Sequence, residues 1–302
     1  LENLTNKPLI SSSDRDYYRE ELADVLDIDE PDRIVFTSGA TEANNAVIRF
    51  LAENTEGKIA ISAIEHPCVT APFDAFVSPE RQIRTPVDAN TGAVSVEDVS
   101  RLLSENEVAA VSVMAANNET GVIQPIDDLI EICHMRGIKV HTDATQAVGR
   151  IPIDLERSPA DYTSFSSHKI GGPQGVGVLI PHEADRAPPP LIHGGGQEGY
   201  RRAGTENFAA IAAFGAAAEH ARTHLEDYQQ LVFLRNKLED GLKEIAHDTI
   251  IFGERVKRVP NTTCCAIPGI SAETVLIALD LEHIAISSGS ACSSGKIARS
   301  HV

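Results

Sequence analysis

An amine, a carboxylate and a glycine-hydroxyl turn recur in this chain at the ends of apolar runs. In Val140-His141-Thr142-Asp143-Ala144-Thr145-Gln146 an apolar run delivers Asp143, and Thr163-Ser164-Phe165-Ser166-Ser167-His168-Lys169 delivers His168 and Lys169. If both runs are neighbouring strands, a carboxylate and an amine face one crevice. A third segment, Phe36-Thr37-Ser38-Gly39-Ala40-Thr41-Glu42, passes from strand through a glycine turn into a helix, whose free N–H groups and positive dipole end suit a phosphate. Each feature has a plainer reading: Thr41 as an ordinary helix cap, Asp143 and Lys169 as a solvated ion pair. Together they are the set pyridoxal phosphate requires: a lysine to form an imine with its aldehyde, an acid to hold its pyridine nitrogen protonated, and a cup for its phosphate.

A fourth feature is a thiol. In Ser287-Ser288-Gly289-Ser290-Ala291-Cys292-Ser293-Ser294-Gly295 a cysteine sits among small polar residues, a composition that predicts an exposed loop, whereas burial is the usual fate of a free cysteine. Such a thiol, once deprotonated, is a nucleophile. The other cysteines lack this setting: Cys133 is expected in a helix, Cys264 and Cys265 in a strand, and Cys68 near the His66 loop, all in structural roles. The five cysteines show no metal-site or CxxC spacing, so reduced thiols in a cytoplasmic protein are expected and no metal site is.

The elements that position these residues follow from the rhythm of the chain. From residue 32 to 180 short β-branched runs alternate with helical patterns, as in successive βαβ units, so the fold class is α/β. Strands are expected at Arg33–Thr37, Lys58–Ser62, Ala109–Ala115, Lys139–Thr142, Tyr162–Phe165 and Gly177–Ile180, and helices at Glu42–Glu53, Val96–Glu105 and Ile126–Arg136. Ligands of open α/β sheets collect beyond the carboxyl ends of the strands, where the candidate residues fall. After the Pro-rich and glycine-rich loop of residues 187–196 come a long helical region over 208–245, strand-like runs at Asn261–Ile267 and His283–Ser287, and a helix at Ala272–Leu281 between them. This predicts an N-terminal segment 1–13, a large domain 14–224 and a smaller C-terminal α+β domain 225–302. With 26 basic against 44 acidic residues the net charge is −18, which opposes nucleic-acid phosphates and anionic membranes alike, and no run reaches the ~20 apolar residues of a membrane span.

The segments TSGATEANN, AIEHPCV, NNETGVIQPI, HTDATQAVGRIPIDL, SFSSHKIGGPQGVG, HGGGQEGYRRAGTEN and SSGSACSS resemble, in order and spacing over about residues 30 to 295, those of NifS/IscS-type cysteine desulfurases, pyridoxal phosphate enzymes of the class V aminotransferase superfamily. The resemblance implies the type I fold of these transferases, with a mostly parallel mixed sheet flanked by helices. It implies that Lys169 binds the cofactor aldehyde and moves protons at the substrate α carbon, that Asp143 pairs with the pyridine nitrogen, that Gln146 and Asn118 position the ring and its phenolic oxygen, and that His66 stacks on the ring and supports catalysis. Ala40, Thr41, Ser166 and His168 would form the phosphate cup, completed by Thr205 from the second subunit of a homodimer. Cys292 would take sulfur from L-cysteine as a persulfide, leaving L-alanine, and pass it to an iron-sulfur scaffold or another acceptor protein, for cluster assembly or tRNA thiolation. Taken singly, His66 before Pro67 also reads as a loop histidine, and Asn117 with Asn118 as a turn.

Departures from the resemblance are Gln174 in place of a common lysine and Ala203 in place of a serine. The family's opening strand is not recognisable in residues 1–29, and its substrate-carboxylate arginine is expected beyond Val302, so both ends are expected to be incomplete. A selenocysteine lyase or class V aminotransferase would keep Lys169 and Asp143 without needing Cys292. A non-catalytic sulfur-acceptor or scaffold protein would keep the fold alone.

Overall fold

Runs such as Lys58-Ile59-Ala60-Ile61-Ser62 are apolar on both faces, the pattern of parallel strands covered by helices on either side. The computed structural model of the chain describes residues 12–157, 159–183, 187–289 and 300–302. Helix α1 (Ser12–Val25) leads into β1 (Val35–Thr37), α2 (Ala40–Asn54), β2 (Lys58–Ser62), α3 (Pro67–Phe76), β3 (Gln82–Thr85), α4 (Val96–Glu105), β4 (Val108–Ser112), α5 (Ile126–His134), β5 (Lys139–Asp143), β6 (Tyr162–Ser166) and β7 (Gly177–Pro181). Helices α6 (Phe208–Thr223), α7 (Leu225–Gln229) and α8 (Leu231–Ile245), strands β8 (Ile250–Ile251) and β9 (Cys265–Ala266), and α9 (Ala272–Leu281) follow.

Strands β1 to β7 form one mixed sheet in the order β1-β7-β6-β5-β4-β2-β3. Every pairing from β6 across to β3 is parallel, while β7 runs antiparallel to both β6 and β1. Two reversals restore direction, so β1 points the same way as β6. The carboxyl ends of β1 to β6 therefore share one edge of the sheet, and the loops leaving β1, β2, β4, β5 and β6 there carry candidate site residues.

Helices cover both faces. Ile59 and Ile61 pack with Val47, Leu51 and Phe73 of α2 and α3, whereas Ala60 points the other way, to Val99 and Leu129 of α4 and α5. Phe165, Val178 and Ile180 face Leu22 of α1 and Phe214 of α6 on that second face. Each fully buried Leu, Ile or Phe contributes about 1.5–3 kcal/mol of transfer free energy. Strands β8 and β9 pair antiparallel, and the segment between them grips the large sheet's loops: Ile123 N–H donates to Lys257 O (3.0 Å) and Val259 N–H to Gly121 O (2.8 Å). Arg258 anchors this grip through two hydrogen bonds to Glu239, 2.7 and 2.8 Å.

The α/β alternation is as expected, with differences that have physical causes. Helix α3 carries Pro67 and Pro72, and edge strand β3 reads Gln-Ile-Arg-Thr, so neither shows an apolar period. The helical region at 208–245 is three helices, broken where His224 leaves helical backbone (φ −109°, ψ 16°) and again around Gln230. The run Asn261–Ile267 pairs only over Cys265–Ala266. His283–Ser287 is not a strand: His283 has φ 61°, Ile284 and Ile286 are exposed, and no described strand lies alongside to satisfy its backbone.

The glycine-rich loop is tied to β1 by a buried carboxylate. Glu198 accepts from Arg19 Nη2 (2.8 Å) and from Phe36 N–H (2.9 Å), with both charged side chains almost wholly buried. Removing one partner of such a pair strands the other charge. Glu198→Ala is expected to lower the unfolding free energy by about 3–5 kcal/mol, measured by urea denaturation; a loss below about 1 kcal/mol contradicts this role.

Candidate active site

Strand register brings the ionisable residues together. Asp143 is the last residue of β5 and lies opposite Ser164 of β6, and β6 runs straight into the short 3-10 helix Ser167–Ile170 that holds His168 and Lys169. The Asp143 carboxylate is 5% exposed. Its Oδ1 accepts from Thr145 N–H at 2.9 Å and its Oδ2 from Asn44 Nδ2 at 2.8 Å. Both donors are neutral, so they orient the group without discharging it.

On the α2 side of Asp143 lies His66, the N-cap of α3. Its Nδ1 accepts from Cys68 N–H at 3.2 Å and lies 2.9 Å from Cys68 Sγ. Burial pushes the His66 pKa down; the nearby Asp143 opposes this, and Lys169 and His301 add to it. The imidazole is neutral at neutral pH. Cys68, expected to be structural, is buried 3.5 Å from Asp143 Oδ2, and burial first and the Asp143 charge second push its thiol far above the ordinary range.

Glycine packing shapes the loop after β1. The N-cap of α2 is Gly39, which offers no side chain, so the first N–H groups of the helix receive no side-chain cap. Gly177 makes this seat possible, because a Cβ there would lie 2.7 Å from the Gly39 Cα. Ser166 closes the other side: its hydroxyl lies 2.8 Å from His168 Nδ1 and 3.7 Å from the position a Gly39 Cβ would take. Ala40, Thr41, Ser166 and His168 thus surround one helix start. Burial, then Lys169, holds the His168 pKa down.

The remaining expected residues lie as follows. Asn118 is in the loop after β4, in a turn made by Asn117, whose Oδ1 accepts from the N–H groups of Glu119 (3.0 Å) and Thr120 (2.9 Å). Gln146 Oε1 accepts from Arg150, which also donates to Lys169 O at 3.3 Å, so Arg150 ties the two loops. Thr205 is exposed and lines a hollow of about 120 Å³ beside Thr37, Ser38 and Arg202 of its own chain. Cys292 lies outside the described residues. Among the described residues no helix is long and apolar enough to cross a membrane.

Pyridoxal phosphate suits this donor set: a buried, oriented carboxylate for a ring nitrogen, uncapped helix N–H groups with hydroxyl and imidazole donors for a phosphate, and an amine one strand away. The sequence matches the family described as aminotransferase class-V over residues 12–302. The chain belongs to the class V aminotransferase family. As a class V chain it is 41% identical to a cysteine desulfurase of Gluconacetobacter diazotrophicus, covering 94% of this chain and 72% of that protein. It is 40% identical to the cysteine desulfurase NifS of Azotobacter vinelandii, covering 94% and 71%. Among solved structures, the NifS-like protein of Rickettsia africae superposes with a TM-score of 0.83 at 35% identity, covering 94% of this chain and 79% of that one.

Four further residues of this class V site are silent in the sequence. Asn44, Cys68 and His141 surround Asp143, and only the period-two alternation along β5, which puts His141 on the Asp143 face, hints at one of them. The fourth is Glu65, fully buried beside His66. Its Oε1 accepts from Ser62 Oγ (2.5 Å) and Met114 N–H (2.8 Å), and Oε2 has no partner among the described residues. Burial raises its pKa to about 8.

The sign of that shift predicts a pH effect. The folded state keeps the Glu65 proton up to about pH 8, whereas the unfolded chain releases it near the ordinary carboxylate value of about 4.3. Its stabilising contribution is complete at low pH and is lost as pH rises through that window, at up to about 1.4 kcal/mol per pH unit. Glu65→Gln, which keeps the acceptor oxygen, is expected to gain stability relative to the native chain from pH 5 to 8 by that slope. Parallel denaturation curves across this range would refute the assignment.

Proposed function

We propose that this chain is a pyridoxal phosphate-dependent cysteine desulfurase, which takes sulfur from L-cysteine onto Cys292 and releases L-alanine. The observation that carries the reading is the meeting of Asp143, Lys169 and His66 at one sheet edge, beside the uncapped start of α2. The curated relatives named as cysteine desulfurases support it.

When bound, the cofactor supplies an electron-withdrawing ring that lets the carbon–sulfur bond of cysteine break. The residues of the chain have distinct tasks around it. Asp143, held by Asn44 and Thr145 as an acceptor, keeps a proton on the ring nitrogen. Lys169 Nζ anchors the cofactor and moves protons at the substrate α carbon. The start of α2, with Ala40 and Thr41, and the side chains of Ser166 and His168 bind the phosphate. Gln146 and Asn118 orient the ring, and His66 stacks on it with Nε2 available as a proton donor. The Cys292 thiolate forms the new S–S bond as the bond from the substrate β carbon to sulfur breaks, and that carbon takes up a proton to become the methyl group of alanine. Atoms balance: cysteine and a thiol give alanine and a persulfide.

The same reading assigns a homodimer in which Thr205, exposed on the glycine-rich loop, reaches the neighbouring copy's phosphate. It also places the chain in the cytoplasm, delivering sulfur to an iron-sulfur scaffold or another acceptor protein. The unpaired Cys68, Cys133, Cys264 and Cys265 suit a reducing compartment. Three residue ranges, 1–13, 14–224 and 225–302, are its proposed units.

Incubation with pyridoxal phosphate and cysteine, followed by peptide mass spectrometry, tests the reading. One added sulfur is expected on the Cys292 peptide, with alanine released. In Cys292→Ala alanine formation is expected to fall by at least a hundredfold, about 2.7 kcal/mol of transition-state stabilisation, with cofactor binding unchanged. Equal alanine formation by the two proteins would eliminate the proposed nucleophile.

A further inference from the structure

Donors and acceptors behind Asp143 can be assigned one by one, because a buried carboxylate demands donors. Asn44 is fully buried, and its amide must turn Nδ2 toward Asp143 Oδ2 at 2.8 Å. That orientation sends its second amide hydrogen to Cys68 Sγ, 3.1 Å away. It also leaves Asn44 Oδ1 as an acceptor, filled by the Ser164 hydroxyl and by His141 Nε2 at 3.1 Å. His141 therefore carries its proton on Nε2, and its bare Nδ1 accepts from Ser112 Oγ at 2.8 Å. Strand register explains why these residues meet: Ser112 of β4 lies opposite His141 of β5, and Asp143 opposite Ser164 of β6.

On the other side of Asn44 the direction continues. With Sγ already accepting from Asn44, the Cys68 S–H has two acceptors in reach, His66 Nδ1 at 2.9 Å and Asp143 Oδ2 at 3.5 Å, and the nearer is the imidazole. The Cys68 N–H points at the same nitrogen. Both place the His66 proton on Nε2.

We propose that Asn44 and Cys68 are positioning residues that form a one-way hydrogen-bond relay, from Ser112 through His141, Asn44 and Cys68 to His66, fixing His66 as the Nε2–H tautomer while Asn44 holds Asp143 as a pure acceptor. The proposal deepens the reading in which His66 and Asp143 face the cofactor and rests on it for its catalytic meaning. Neither Asn44 nor Cys68 touches the reacting atoms. Their task is to make one hydrogen-bonding state of each neighbour the only one available, since a buried donor or acceptor left unmade is costly.

Nitrogen-15 NMR of the full chain labelled at histidine reads the tautomers directly, with and without added pyridoxal phosphate. His66 and His141 are expected as neutral Nε2–H rings at neutral pH. Cys68→Ala, which keeps the backbone N–H on Nδ1 but removes the thiol donor, is expected to shift the His66 Nδ1 resonance toward that of a less strongly bonded acceptor, and Cys68→Ser, which restores a donor, to return it to the native pattern. Asn44→Leu is expected to weaken pyridoxal phosphate binding roughly tenfold or more, by removing a buried donor to a charged group; if this variant does not fold, the native and Cys68 spectra decide the matter. A native His66 protonated on Nδ1, or a Cys68→Ala spectrum identical to the native one, overturns the relay. Native protein that keeps the predicted tautomers yet binds no pyridoxal phosphate overturns the functional reading and leaves the relay supported.

Discussion

A carboxylate buried at the end of a sheet strand is stable only when its lone pairs meet donors, and Asp143 imposes that demand here. One donor comes from its own loop, the other from α2 across the face of the sheet. Because the second donor is an amide, its carbonyl must in turn be satisfied, which draws in His141 and Ser164. A polar cluster in an otherwise apolar interface between α2 and the sheet is thus the consequence of one charge. Partly satisfied, such a cluster would be costlier than an apolar core; fully satisfied, it specifies one arrangement.

Sheet topology makes that charge useful. Reversal through β7 returns β1 to the direction of β6, so the uncapped start of α2 emerges at the same edge as Asp143 and Lys169. The uncapped helix start and the buried carboxylate are therefore both held at that edge by rigid strands. The segment between β8 and β9 adds to this by gripping residues 121–123, just after the turn that presents Asn118. Burial supplies the electrostatics: His66, His141 and Glu65 are all pushed toward their neutral forms, leaving Asp143 as an oriented acceptor among neutral neighbours.

Much of this was legible in the sequence because parallel strands covered on both faces read as continuous apolar runs. Asp143, His168 and Lys169 stand out at the ends of such runs, where the chain turns polar. Asn44 does not, since a polar residue inside an amphipathic helix ordinarily faces water, and only the Asp143 carboxylate opposite explains its burial. Cys68 reads as a small buried residue and is one, but its contact with His66 depends on the capping geometry at the start of α3. Edge strand β3 and proline-containing α3 lack an apolar period. The β-branched run at His283–Ser287 has the composition of a strand without a neighbouring strand to pair with, which composition cannot reveal.

In the proposed function this edge of the sheet holds one aldehyde cofactor through one amine. Borohydride reduction of the protein loaded with pyridoxal phosphate, followed by peptide mapping, tests it most directly. A pyridoxyl group is expected only on the Lys169 peptide and is expected to be absent from Lys169→Ala. Label spread over other lysines, or no label after loading, would contradict it.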